Sequence, residues 1–93
     1  MMELFNSMDN YLICDCHLFL PSKIYRVTGN QTQFIESSSL DELGSTLATL
    51  CRDYGLHKVK FSGSRNFLKK IIADMQEVAM CRYDYYDIES EYL

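Results

Sequence analysis

Three clusters of side chains in the 93-residue chain have types and spacing that could do chemistry: Cys14-Asp15-Cys16-His17, Ser62-Gly63-Ser64-Arg65, and the run from Tyr83 to Leu93. In the first, Cys14 and Cys16 are two apart, so on a strand they share one face while Asp15 and His17 take the other. That separates His17 from the thiols. Structural zinc sites favour knuckles with roughly two to four residues between the thiols, usually in two copies, whereas Cys51 and Cys81 each stand alone. The thiols are therefore expected to be free and to act as small apolar side chains, with no metal bound. A nucleophilic cysteine would need a histidine beside it, and nothing in the spacing of His17 or His57 supplies one. His17 is expected as a hydrogen-bonded core side chain and His57 as a partly exposed structural residue.

The second cluster sits between a strand and a helix start, where open amides and the helix dipole favour an anion. Arg65, Lys69 and Lys70 add positive charge. The turn lacks the Gly-Lys-Ser or Gly-Lys-Thr ending of a phosphate loop, and an ordinary cap role for Ser64 explains the same residues. The third cluster joins Tyr83, Tyr85, Tyr86 and Tyr92 to Asp84, Asp87, Glu89 and Glu91. Tyrosine is enriched at interfaces and carboxylates steer basic partners, so this segment is the expected binding surface.

Charge narrows the choice. A net charge of -4 argues against a protein whose task is to grip phosphate backbones, because that affinity comes from Lys and Arg. The distribution is uneven: Arg52 to Lys70 holds six bases and one acid, and Asp84 to Leu93 four acids and no base. No uncharged stretch approaches the roughly 18 apolar residues of a membrane span. The start, Met1 to Asn10, carries Glu3 and Asp9 without a base, unlike a secretory signal, so a cytoplasmic protein is expected. At 47% hydrophobic and 24% charged residues the chain reads as one small globular domain over 1–93, with flexible ends at 1–10 and 89–93.

The elements that must position these clusters follow from periodicity. Tyr11 to Phe19 is apolar on both parities, as in a central strand. Pro21-Ser22 breaks it. Lys23 to Thr28 and Gln31 to Glu36, joined by Gly29-Asn30, complete a three-stranded meander. Ser39 and Glu42 form a capping-box pattern opening a helix whose stripe is Leu40, Leu43, Leu47, Leu50, Cys51 and Tyr54, stopped by Gly55. Gly44 inside it costs about 1 kcal/mol relative to Ala. His57 to Phe61 alternates as a half-exposed strand, with Lys58 and Lys60 away from the helices. A second helix carries Phe67, Leu68, Ile71, Ile72, Met75 and Ala79, and Cys81 to Ile88 is the expected final strand. The order βββαβαβ gives an α/β (α+β) fold: a mixed five-stranded sheet with both helices on one face and the opposite face open or covered by a partner.

This order resembles the front portion of the ribonuclease H-like fold over Tyr11 to Ile88, in topology and not in any sequence motif. The resemblance implies, for nuclease members, two metal ions held by carboxylates on the first strand, the first helix and the end of the fourth strand. Asp15 and Glu42 fall on the first two elements; Ser62-Gly63-Ser64 stands where the third acid belongs, and two-metal catalysis depends on clustered acids.

The expectation is thus a non-catalytic binding or regulatory module without a cofactor, acting on a protein partner, and a basic one by charge. It would work through the acidic, tyrosine-rich C-terminal strand or the uncovered sheet face, with self-association open, in the manner of small phage-type inhibitors of nucleic-acid-binding proteins. The alternatives are a reduced nuclease using Asp15 and an anion-sensing domain at Ser62, Gly63, Ser64 and Arg65.

Overall fold

Alternation along the central strands decides where the core lies. In β1 (Asn10–Cys16) Leu12, Cys14 and Cys16 are buried, and in β4 (Lys58–Gly63) Val59 and Phe61 are buried, while the residues between them are only partly covered. Successive side chains of a strand face opposite ways, so all five buried residues look toward one layer of helices. The structure, a computed structural model, describes residues 10–85 and 87–93. Its strands form one mixed sheet in the order β3-β2-β1-β4-β5, with β2 at Ser22–Thr28, β3 at Gln31–Ser38 and β5 at Glu89–Tyr92. The β1-β2 and β2-β3 pairs are antiparallel; the β1-β4 and β4-β5 pairs are parallel. This is the mixed five-stranded, two-helix architecture that the element order predicts.

Both helices lie over the same layer. Helix α1 (Leu43–Tyr54) buries Leu43, Leu47, Ala48, Leu50 and Cys51, and α2 (Leu68–Tyr83) buries Ile71, Met75 and Ala79. These side chains join Leu12, Cys14, Cys16, Ile24, Val59 and Phe61 in a single cluster. Full burial of a Leu, Ile or Phe contributes roughly 1.5–3 kcal/mol, so this one layer holds most of the folding energy.

Three local outcomes differ from the sequence expectation. Ser39 makes no side-chain cap; instead Glu42 N–H donates to Ser39 O at 3.2 Å and closes a single 3-10 turn over Leu40–Glu42 ahead of α1. The first strand ends at Cys16, which leaves Leu18, Phe19 and Leu20 outside it and exposed. And Cys81–Ile88 does not form the final strand: α2 runs on to Tyr83, Asp84 (φ 52) ends it, and β5 is Glu89–Tyr92. The tyrosine-rich composition pointed to a strand, but the helical repeat Ile71, Met75, Ala79 continues one more turn to Tyr83, whose ring packs against the core. Tertiary packing outweighs strand propensity there.

Gly44 has a reason beyond helix propensity. A Cβ added there would lie 2.5 Å from Asp74 Cβ and 2.9 Å from the Met75 backbone nitrogen, so α1 and α2 touch backbone to backbone at this point. Gly55 ends α1 in the left-handed region (φ 69), as the sequence predicts. Because an isolated helix gains about 1 kcal/mol from Gly→Ala, while overpacking a tight contact costs about 1–3 kcal/mol, the two effects have opposite sign. Gly44→Ala is expected to lower the unfolding free energy in urea; a more stable variant would mean that the helices do not approach this closely.

Candidate interaction surface

The sheet face opposite the helices carries an ordered arrangement of partly and fully exposed side chains. The registers Phe34↔Tyr25, Tyr25↔Ile13, Ile13↔Lys60 and Lys60↔Glu91 place one residue from each strand in a row that crosses the whole sheet. It runs from aromatic, through aliphatic, to basic and finally acidic. Tyr25 and Phe34 meet edge to face with centroids 5.7 Å apart, a preferred aromatic geometry, and Phe34 is 51% exposed. Lys60 Nζ lies 4.2 Å from the centre of the Tyr11 ring, which holds the ammonium over an aromatic face. A bulge between Ile24 and Tyr25 of the β2-β3 ladder lets Ile35 pack against the core while Phe34 remains on the open side.

The C-terminal residues singled out in the sequence divide into two groups. The tyrosines serve the fold. Tyr83 OH pairs with Thr49 Oγ1 at 2.8 Å, beneath the Arg52 guanidinium, whose Cζ is 4.0 Å from its ring centre. Tyr85 OH donates to Leu56 O at 3.0 Å and its ring stacks on His57, 4.9 Å between centroids. Tyr92 OH donates to Gly63 O at 2.6 Å. Tyr86 lies outside the described residues. The acids remain at the surface: Asp84 and Asp87 occupy left-handed positions in the loop before β5, and Glu89 and Glu91 both sit 3.8 Å from Lys58 Nζ. Such exposed pairs contribute only about 0–1 kcal/mol.

At the C-terminal ends of β1 and β4 the first two clusters meet. Asp15 receives Ser62 Oγ–H at 3.3 Å on one oxygen and faces His17 Nε2 at 3.1 Å on the other. His17 is thus on the surface, 37% exposed, and not in the core as its strand suggested, because β1 ends one residue before it. The carboxylate is the centre of this trio, whereas a nucleophile relay needs the imidazole between acid and hydroxyl. Gly63 (φ 83) closes the end of β4 so tightly that a Cβ would lie 2.3 Å from Cys16 O. Ser64 N–H donates to Cys16 O at 2.9 Å and Ser64 Oγ accepts Asn66 N–H at 3.3 Å. Arg65 stacks over Tyr92, 4.2 Å from its centre. The Ser62–Arg65 turn therefore spends its first polar groups on β1, and α2 begins only at Leu68.

Glu42 stands on the turn that precedes α1, on the helix side, while Asp15 pairs across the sheet with Ser62 and Lys23 on the other side. Among the described residues no group of three His, Cys, Asp or Glu side chains converges as a metal would require. A broad cleft of about 550 Å³ opens at the other end of the sheet, bounded by Arg26, Tyr54, His57, Lys58 and Glu89. Within it Arg26 lies over the Tyr54 ring at 4.5 Å.

No protein-family model matches the chain, and comparison with curated proteins gives no match. Among the described residues no helix is long and apolar enough to cross a membrane.

The four cysteines are free thiols; Cys14, Cys16 and Cys51 are buried and Cys81 is exposed. Cys14 and Cys16 have Sγ atoms 3.7 Å apart. The hydrogen bond with Cys16, together with burial, holds the Cys14 thiol far above the usual range. Burial pushes Cys51 up from 9.0 to about 12. An unfolded Cys51 ionises near 9.0 and the folded one near 12, so its contribution to stability is complete below pH 9.0 and is lost as the pH rises through that window. The melting temperature should accordingly fall above pH 9.0, and less steeply in Cys51→Ala. Alkylation of the native protein near neutral pH, followed by mass spectrometry, should modify Cys81 first; equal rates at all four thiols would contradict this burial pattern.

Proposed function

We propose that the protein is a small non-catalytic binding module that contacts a protein partner through the uncovered sheet face, with the acidic loop and β5 as its charged rim. The observation that supports this most is the cross-strand row Phe34, Tyr25, Ile13, Lys60 and Glu91, which no helix covers among the described residues. The row joins an apolar part, Phe34, Tyr25 and Ile13, to a charged part, Lys60 and Glu91, a combination of apolar contact and charged border that suits a protein interface. Asp87, Glu89 and Glu91 at that border favour a basic partner, such as the nucleic-acid-binding surface of another protein, which an acidic module of this size would occupy. The sequence offered either the acidic, tyrosine-rich C-terminal strand or the uncovered sheet face; Tyr83, Tyr85 and Tyr92 spend their hydroxyls on Thr49, Leu56 and Gly63, which favours Tyr25 and Phe34 as the aromatic part of the proposed contact.

Capture of partners from the native cell tests this reading with two variants. Tyr25→Ser combined with Phe34→Ser removes the aromatic end of the row, and should weaken capture by about 30-fold or more, the loss of roughly 2 kcal/mol seen at interface hot spots. Asp87→Asn with Glu89→Gln and Glu91→Gln should weaken it less and flatten its dependence on salt. Retention of full capture by the first variant would sink the proposal. A nuclease assay with magnesium or manganese, comparing the parent with Asp15→Asn, addresses the catalytic alternative: activity that the substitution abolishes would replace the binding reading.

A further inference from the structure

Two thiols in the core touch. Cys14 and Cys16, two apart on β1, both point to the helix side and bring their Sγ atoms to 3.7 Å, and both are free and buried. The other two thiols are placed differently: Cys51 is buried on α1 and Cys81 is exposed on α2. Contact gives the pair unequal acidity. The hydrogen bond with Cys14 holds the Cys16 thiol below its ordinary 9.0, and the same bond together with burial holds Cys14 above it. Since the thiolate is the attacking species in disulfide exchange, Cys16 is the thiol that reacts first.

Strand geometry keeps this pair reduced. Two residues of a strand span about 6.6 Å, near the upper limit of roughly 6.8 Å for the Cα atoms of a disulfide. Cβ atoms on the same face stand about as far apart, against the roughly 3.5–4.5 Å that the bond needs, so closing it draws β1 together by about 2 Å or more. A disulfide strained in this way is more oxidising and is readily reduced. It forms only where β1 gives way at its end.

That end is the seal between β1 and β4. Cys16 pairs with Gly63 at the last position of the β1-β4 register, and Cys16 O accepts Ser64 N–H at 2.9 Å. Asp15, which the two cysteines flank, accepts Ser62 Oγ–H at 3.3 Å and faces His17 Nε2 at 3.1 Å, so contraction of the strand pulls on all three contacts. The end of a ladder opens at less cost than its middle, which admits a small disulfide to Cys16 although only 3% of that residue is exposed.

We infer that Cys14 and Cys16 form a redox-sensitive switch, which oxidised glutathione converts to a disulfide that opens the seal between β1 and β4. The Cys16 thiolate attacks one sulfur of oxidised glutathione, forming a mixed disulfide and expelling a glutathione thiolate. Cys14 Sγ then attacks Cys16 Sγ and expels the second glutathione. Two protons pass from the cysteines to the two glutathiones, and the two electrons the pair loses reduce one oxidised glutathione. Excess reduced glutathione runs the same steps backward.

The test equilibrates the full chain in glutathione mixtures from fully reduced to fully oxidised, quenches with acid, alkylates the remaining thiols under denaturing conditions and maps the peptides by mass spectrometry. The expected product at the oxidising end is a peptide carrying Cys14 and Cys16 that lacks two hydrogens and takes no alkyl label, and dithiothreitol should restore both thiols. The oxidised protein should melt at a lower temperature than the reduced one, and its Ser64 amide should exchange with deuterium at least about tenfold faster. Cys81→Ser, which removes the exposed thiol, should give the same product. Glutathione on Cys81 alone, a bond from Cys14 or Cys16 to Cys51, or a Cys14–Cys16 disulfide that leaves melting and Ser64 exchange unchanged would each overturn the inference. None of these readouts depends on Tyr25 or Phe34, so the partner-binding reading stands or falls separately.

Discussion

The parallel pairing of β1 with β4 fixes where everything else goes. Leu12 faces the same way as Val59 and Cys14 the same way as Phe61, so one parity of both strands forms an apolar floor. The helices must cover that floor, since apolar surface of this extent is stable only out of water. A slip of one residue in β1 would turn Asp15 under the helices and expose Cys14, and the same slip in β4 would bury Lys60 and Ser62 and expose Phe61, which makes the register strongly specified. Gly63 adds a steric lock at the end of the pair, because its hydrogen sits where any side chain would strike Cys16 O. From this one register follow the side on which the helices lie, the exposure of Ile13 and Lys60, and the meeting of Asp15 with Ser62.

The same constraint explains which parts of the fold were legible in the sequence. The helical stripe of α1 and the alternation Lys58, Val59, Lys60, Phe61 are strong periodic signals, and both elements formed where those signals place them. The capping box was a weaker guide, since Ser39 and Glu42 sit in a 3-10 turn that spends only their backbone groups. The C-terminal segment was misleading for a specific reason. Tyrosine has strand propensity, but Tyr83 gains a partner in Thr49 across the helix pair, and propensity of this size yields to such packing. The strand that follows is four residues long and half acidic, too short to announce itself by alternation.

The surface was less legible than the core. Clusters of reactive residue types drew attention to Cys14 through His17 and to Ser62 through Arg65, and these two clusters do come together at the ends of β1 and β4. What they build is a hydrogen-bonded seal between two strands, centred on Asp15. The cross-strand row has no local sequence signature, because its five members are contributed by five strands far apart in the chain and only the registers align them. Phe19 and Leu20 were hidden differently: an apolar run continuing a strand reads as core, and only the strand's end at Cys16 reveals them as exposed.

Covalent footprinting of aromatic and aliphatic side chains, carried out in the native cell and on the purified protein, measures directly whether the uncovered sheet face is the working surface. Phe34 and Tyr25 are expected to lose labelling in the cell while Met80, 51% exposed on α2, keeps it. Equal labelling of Phe34 in both settings, or protection confined to Met80, would contradict it.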